Sequence, residues 1–77
     1  MVVGFVLITT EPGKEADIYT KLKEIEEIEE SYPLFGEYDI MAKANGDSFQ
    51  EIGEMVVNKI RTLDGIKETK TLTGISF

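Results

Sequence analysis

The chain of 77 residues contains no cysteine, no histidine and no tryptophan. Without cysteine it can form neither disulfides nor thiolate metal sites, and thiol catalysis is excluded. Without histidine it lacks the commonest general base and the commonest transition-metal ligand. We therefore expect no cofactor and no metal. Basic residues are also scarce, with 8 Lys and Arg against 15 Asp and Glu and a net charge of −7. Because phosphate binding needs a clustered basic surface, direct nucleic-acid binding is not expected.

A chain of 77 residues forms one domain and has no room for a second. Its hydrophobic residues, 42% of the total, indicate that this domain is globular. The apolar segment 1–8 lacks the basic start of a signal peptide. It is also far shorter than the ~20 residues that span a bilayer. These features predict a cytoplasmic protein without a membrane partner.

Hydrophobic periodicity and turn residues predict six elements. In chain order they are a strand at 1–10, a helix at 14–30, an edge strand at 31–36, a strand at 37–45, a second helix between the candidate caps Asp47 and Ser48 and the stop Gly65, and a strand at 66–77. The second helix carries an apolar stripe of Phe49, Ile52, Val56, Ile60 and Leu63. The order βαββαβ predicts an α+β, ferredoxin-like sandwich, in which a four-stranded antiparallel sheet carries two helices on one face. Its first and third strands should be central.

The first predicted strand is apolar on both faces. Val3, Phe5 and Leu7 alternate with Val2, Val6 and Ile8. Because both helices cover the same side of the sheet, one apolar face would be left bare in a monomer. We therefore expect a homodimer that pairs sheet against sheet, which is a dimeric α/β barrel.

The segment Gly36-Glu37-Tyr38-Asp39 between the second and third strands is the most informative motif. Glycine permits a tight connection, and the phenol and carboxylate lie beside backbone N–H groups that a bend leaves unpaired. Such a corner suits a small zwitterion better than it suits catalysis. From the residues alone, an ordinary hairpin glycine explains Gly36 better than a ligand site does, and Asp39 either contacts a ligand or caps the local backbone.

With the Gly65-Ile66 step and Thr69-Lys70-Thr71, this motif resembles the effector-binding module, or RAM domain, of the Lrp/AsnC (feast/famine) transcription regulators. The resemblance covers nearly the whole chain. It implies dimers that assemble into rings such as octamers and bind an amino acid at contacts between dimers. The site would comprise Gly36, Glu37, Tyr38 and Asp39 of one dimer and Thr69 and Thr71 of a neighbouring dimer. Because Met1 opens the first predicted strand, residues 1–77 are expected to form a stand-alone module without a helix-turn-helix domain. A full-length regulator of the family is a possible partner.

Several other interpretations remain open at this point. An ACT-type amino-acid sensor is one, although the G-x-Y-D corner fits it less well, and a purely structural assembly factor is another. A small dimeric α/β-barrel enzyme, of the isomerase or monooxygenase type, would place a polar catalytic residue between helices and sheet, and Asp39 is the only evident acid for that role. We do not expect an enzyme. The acidic run in 24–30 places Glu26 and Glu30 one helical turn apart, where they could share a hard cation, although a solvated helix face explains them better.

Overall fold

A four-stranded antiparallel sheet forms one layer of the structure, a computed structural model that describes residues 1–74. The elements are β1 (Val2–Thr10), α1 (Glu15–Leu22), β2 (Ile28–Pro33), β3 (Ile40–Gly46), α2 (Phe49–Met55) and β4 (Ile66–Thr73). A π-helical segment, Val56–Ile60, continues α2. The strand order is β2-β3-β1-β4, so β1 and β3 are central, as predicted. The βαββαβ sandwich expected from the sequence is confirmed.

The core lies between the sheet and the two helices. Alternate residues of β1 and β3 are buried in one cluster with apolar residues of α1, α2 and the π-helical segment. The cluster comprises Val6, Ile8, Ile18, Leu22, Ile40, Ala42, Ala44, Ile52, Met55, Val56 and Ile60. Because residues from α1 and α2 join the same cluster, both helices cover one face of the sheet. Burying each large side chain here stabilises the fold by about 1.5–3 kcal/mol.

The second helix begins as the sequence predicts. The Ser48 side chain accepts a hydrogen bond from the Glu51 N–H at 3.1 Å, which satisfies one of the free donors at the helix start. The predicted apolar stripe is only partly buried, because Phe49 at its first position is 46% exposed. The predicted end of this helix at Gly65 is wrong, because the helical segment ends at Ile60 and turns lead on to β4. Gly65 is the last residue of these turns, with φ 99°, an angle that favours glycine.

The prediction of a first helix over 14–30 is wrong beyond Leu22. The helix ends there, and turns lead to β2, whose first residue Ile28 pairs with Ala44 of β3. The half-buried Ile25 and Ile28 pack against the core from these turns and from the strand, so their helical spacing does not require a helix. Glu26 and Glu30 are therefore not on one helix face, and the geometry proposed for a shared cation does not exist.

Other boundaries differ by a few residues. β2 ends at Pro33 rather than continuing to Gly36, and β3 begins at Ile40 rather than at Glu37. The predicted last strand extends over 66–77, and its final residues 75–77 lie outside the described part of the chain. Among the residues that the structure describes, no helix is both long and apolar enough to cross a bilayer.

Candidate functional site

The loop that connects β2 to β3 contains the Gly36-Glu37-Tyr38-Asp39 motif. The Leu34 N–H donates to the Asp39 carbonyl oxygen at 2.8 Å and closes the loop at its base. Gly36 has φ 138°, an angle that side-chain-bearing residues rarely adopt. The Asp39 N–H donates to the Ile8 carbonyl oxygen at 2.9 Å. The loop is therefore attached to the end of β1, beside the sheet.

The carboxylate of Asp39 strengthens this attachment. Its Oδ2 accepts hydrogen bonds from the Thr10 backbone N–H at 2.8 Å and from Thr10 Oγ1 at 3.3 Å. The pairing of β1 with β4 shifts register between Thr9 and Thr10, and Thr10 is buried. Because a buried N–H requires a partner, Asp39 supplies an acceptor at this irregularity. Of the two roles that the sequence left open for Asp39, the structure shows the backbone cap.

An open cleft of about 380 Å³ lies between the same loop and β4. Its lining residues are Thr9, Glu37, Tyr38, Glu68, Thr69 and Lys70. Glu37, Tyr38 and Thr69, three of the predicted site residues, thus border one cleft within a single subunit. We call this space the loop–β4 cleft.

The other predicted site residues lie near the loop–β4 cleft but outside its lining. Gly36 and Asp39 belong to the loop and determine its shape and its attachment. Thr71 lies farther along β4, opposite Val6, and is exposed. The Thr69 hydroxyl accepts a hydrogen bond from Arg61 Nε at 2.9 Å, so that side chain is already engaged within its own subunit.

Sequence reasoning missed three residues of the cleft, namely Thr9, Glu68 and Lys70. Thr9 is directly opposite Glu68 in the β1–β4 pairing, and its Oγ1 donates to the Glu68 carbonyl oxygen at 3.4 Å. Lys70 is opposite Leu7. The period of two along β1 and β4 was the available signal, because it places all three on the sheet face that carries Leu7.

That sheet face, opposite the helices, carries an uncovered apolar surface. Its central residues Val3, Phe5 and Leu7 alternate with the buried positions of β1. Phe5 pairs with Leu72 of β4, which is 45% exposed, and Met41 pairs with Tyr32 of β2, which is 43% exposed. We call this surface the open sheet face. Thr9, Glu68 and Lys70 lie at one end of it, so any molecule that covers the open sheet face borders the loop–β4 cleft.

Charged residues at the other end of the sheet form ion pairs. Glu27 bonds to Lys59 at 2.9 Å, and this hydrogen bond lowers the pKa of the Glu27 carboxyl below its ordinary value of 4.5. The Asn45 amide and then Lys43 lower the pKa of the Glu29 carboxyl in the same way. The hydrogen bond from the Tyr32 hydroxyl to Glu30 raises the pKa of Tyr32. Of these contacts, those of Glu29 link β2 to β3, and none involves a residue that lines the loop–β4 cleft.

The cleft offers groups suited to a small charged molecule. Glu37 and Glu68 carry carboxylates, Lys70 carries an ammonium, and Thr9 and Tyr38 carry hydroxyls that donate or accept hydrogen bonds. An ammonium on the ligand can bind the carboxylates, and a carboxylate on the ligand can bind Lys70 and the hydroxyls.

Comparison with known proteins identifies relatives of similar sequence and fold. The HTH-type transcriptional regulator PF1231 from Pyrococcus furiosus is 29% identical over 70 residues, which cover 91% of this chain and 47% of that protein. The chain therefore spans about half the length of this curated relative. The crystal structure of FFRP-DM1 superposes with a TM-score of 0.91 at 35% identity and covers 97% of this chain and 100% of that one.

Two further structures share the fold. PHS023 from Pyrococcus horikoshii, a hypothetical protein, has a TM-score of 0.89 at 34% identity and covers 100% of this chain and 93% of its own. The transcriptional regulator NMB0573 from Neisseria meningitidis, solved in complex with L-Met, has a TM-score of 0.87 at 16% identity. It covers 97% of this chain and 50% of its own, and at that identity it shows the fold alone.

The model of the Lrp/AsnC ligand binding domain matches residues 3–76, nearly the entire sequence. With the βαββαβ order of elements and the relatives named above, this match shows that the chain belongs to the Lrp/AsnC family as a ligand-binding domain.

Proposed function

We propose that this chain is a non-enzymatic regulatory module that binds an amino acid and couples its binding to self-assembly. The observation that carries the proposal is the loop–β4 cleft, where opposite charges and hydroxyls meet at one end of the open sheet face. A protein of the same fold, NMB0573, is seen in complex with L-Met, which supports an amino acid as the ligand class.

The cleft can hold the common part of an amino acid. Lys70 and the Tyr38 hydroxyl face an α-carboxylate, and Glu37 or Glu68 faces an α-ammonium. Gly36 and Asp39 act by shaping the loop and fixing it to Thr10, so they position Glu37 and Tyr38. In an assembled ring, Thr69 and Thr71 of a neighbouring dimer would add donors to the same ligand.

Self-association follows from the open sheet face. Large exposed apolar surfaces of this kind mark interfaces, and a second copy placed sheet against sheet would cover Phe5, Tyr32 and Leu72 on both subunits. Such a dimer would leave each cleft at its margin, where a neighbouring dimer in a ring such as an octamer can contact it. A ligand that bridges two dimers would stabilise the ring by mass action.

The regulatory role is proposed from the relatives, which are named as HTH-type transcriptional regulators. The chain would act in the cytoplasm and modulate a full-length Lrp/AsnC regulator by joining its assembly. Neither nucleic acid nor a membrane is a direct partner in this proposal.

Calorimetric titration with a panel of L-amino acids, combined with native mass determination, tests the binding function. At least one amino acid should bind and shift the distribution of assemblies. The Lys70→Met variant should weaken that binding, because it removes the cation that faces the α-carboxylate. Lys21→Met is the matched control, since Lys21 is an exposed lysine of α1 that does not line the cleft. Failure of every amino acid to bind would refute the proposal.

The self-association part has a separate test. Phe5→Lys places a charge at the centre of the open sheet face and should give a monomeric mass by light scattering at micromolar concentration. Val57→Lys is the control, because Val57 is an apolar residue that is 53% exposed on the helical segment that follows α2. The control should keep the mass of the wild type. A monomeric wild type at micromolar concentration would refute this part.

A further inference from the structure

We infer that the loop–β4 cleft selects an amino acid with a cationic side chain, with Glu37 and Glu68 as the residues that determine this selectivity. The inference rests on the proposed function and specifies the chemical class of its ligand. It follows from the charges that line the cleft and from the contacts those charges make within the subunit.

The cleft has one surplus negative charge. Its charged lining residues are Glu37, Glu68 and Lys70, which are two carboxylates and one ammonium. Within residues 1–74, the ion pairs are Lys14–Asp64, Lys43–Glu29 and Lys59–Glu27. None of these pairs uses a cleft residue, so all three charges of the cleft are available to a ligand.

The backbone groups of an amino acid neutralise only part of this set. The α-carboxylate pairs with Lys70, and the α-ammonium pairs with one glutamate. The second glutamate is then left facing the ligand's side chain. An ammonium or guanidinium there completes the charge balance, whereas an apolar side chain leaves the carboxylate unpaired and an acidic side chain repels it.

The size and openness of the cleft set the expected strength of this selection. A volume of about 380 Å³ lies within the usual range of small-molecule sites, about 300–1,000 Å³, and accommodates a long side chain. The cleft is open to solvent, so water weakens each charge pair. One added pair about 4 Å apart in water then corresponds to about a fivefold change in affinity. The preference should decrease as ionic strength increases.

Calorimetric titration of the full chain with L-lysine, L-norleucine and L-glutamate tests the inference. Norleucine has the carbon skeleton of lysine without the terminal ammonium, so the comparison isolates one charge. We expect lysine to bind about fivefold more tightly than norleucine at low salt, and glutamate to bind least. Norleucine binding as tightly as lysine would overturn the inference while leaving the proposed function intact. Binding of no amino acid at all would overturn both.

Substitutions assign the selectivity to its residues. Glu37→Gln and Glu68→Gln should bring the ratio of lysine to norleucine affinity towards one, with norleucine affinity itself little changed. Glu54→Gln is the control, because Glu54 is an exposed carboxylate of α2 outside the cleft. Glu68→Lys should reverse the preference towards glutamate. If all three cleft variants keep the wild-type ratio of lysine to norleucine affinity, the assignment to Glu37 and Glu68 is wrong. The titration of the wild type decides the ligand class even if a variant fails to fold.

Discussion

Replacing Asp39 with alanine removes the acceptor used by the Thr10 N–H and leaves the backbone hydrogen bonds of the loop in place. Thr10 is only 7% exposed, and its N–H lies where β1 and β4 shift register. The bond from Thr10 N to Asp39 Oδ2 is 2.8 Å long, a length typical of bonds to a charged acceptor. The variant therefore leaves a buried donor without its partner.

The expected loss can be estimated from this geometry. An unsatisfied buried donor costs about 1–3 kcal/mol. Because Asp39 itself is half-buried, water can reach part of the vacated space, so we expect about 1–2 kcal/mol. A change of about 1 kcal/mol shifts the Tm of a domain of this size by about 4–8 °C. Asp39→Asn keeps an oxygen acceptor but loses its charge, and it should lose about half as much.

Urea unfolding at one fixed protein concentration measures the effect, since self-association would otherwise change the apparent stability. Asp64→Ala is the matched control. Its carboxylate accepts one hydrogen bond, at 3.2 Å, from the exposed ammonium of Lys14. Exposed pairs contribute about 0–1 kcal/mol. If Asp39→Ala lowers the free energy of unfolding no more than Asp64→Ala does, the backbone cap does not hold the loop and our reasoning fails.

Two further predictions concern stability. The Lys59 hydrogen bond lowers the pKa of Glu27, so its contribution is present above pH 4.5 and disappears as pH falls through the lowered value. Glu27→Gln should accordingly lower the free energy of unfolding at pH 7 by up to about 1 kcal/mol and leave it unchanged at pH 2, as measured by urea unfolding. An equal decrease at both pH values would contradict this. Gly65→Ala should destabilise by more than about 1 kcal/mol, because φ is 99° and a Cβ would lie 2.7 Å from Lys14 Cβ. Gly53→Ala, in open space on α2, should instead stabilise by about 0.4–1 kcal/mol, and the same sign for both glycines would contradict the prediction.

Local patterns predicted most of the fold. Alternation along β1 indicated a strand with two apolar faces, the βαββαβ order placed it at the centre of the sheet, and the Ser48 cap marked the start of the second helix. Gly65 did not mark the end of that helix, which lies at Ile60. The end of α1 could not be predicted in this way. Ile25 and Ile28 continue the helical spacing of Ile18 and Leu22. In the structure, however, Ile28 begins β2 and pairs with Ala44 of β3. Only the tertiary contact with Ala44 distinguishes a helix from a turn followed by a strand.

The candidate site was predictable to a similar extent. The Gly36–Asp39 motif located the loop, because glycine and polar residues at a strand end are local signals. The role of the Asp39 carboxylate depends on the register shift at Thr10, which arises only when β1, β3 and β4 have paired. The contributions of Glu68 and Lys70 likewise depend on which residues of β1 lie opposite them. Non-local register, which periodicity does not encode, therefore decides these assignments.

The two-sided character of β1 also affects how the domain can diverge. Its even-numbered residues, such as Val6 and Ile8, are fully buried beneath the helices of their own subunit, whereas Phe5 and Leu7 face outwards. Substitutions at the odd-numbered positions can thus alter which copies recognise each other while the interior stays intact. A genome with several paralogues of this domain could keep them from mixing, or permit chosen mixtures, by varying every second residue of one strand.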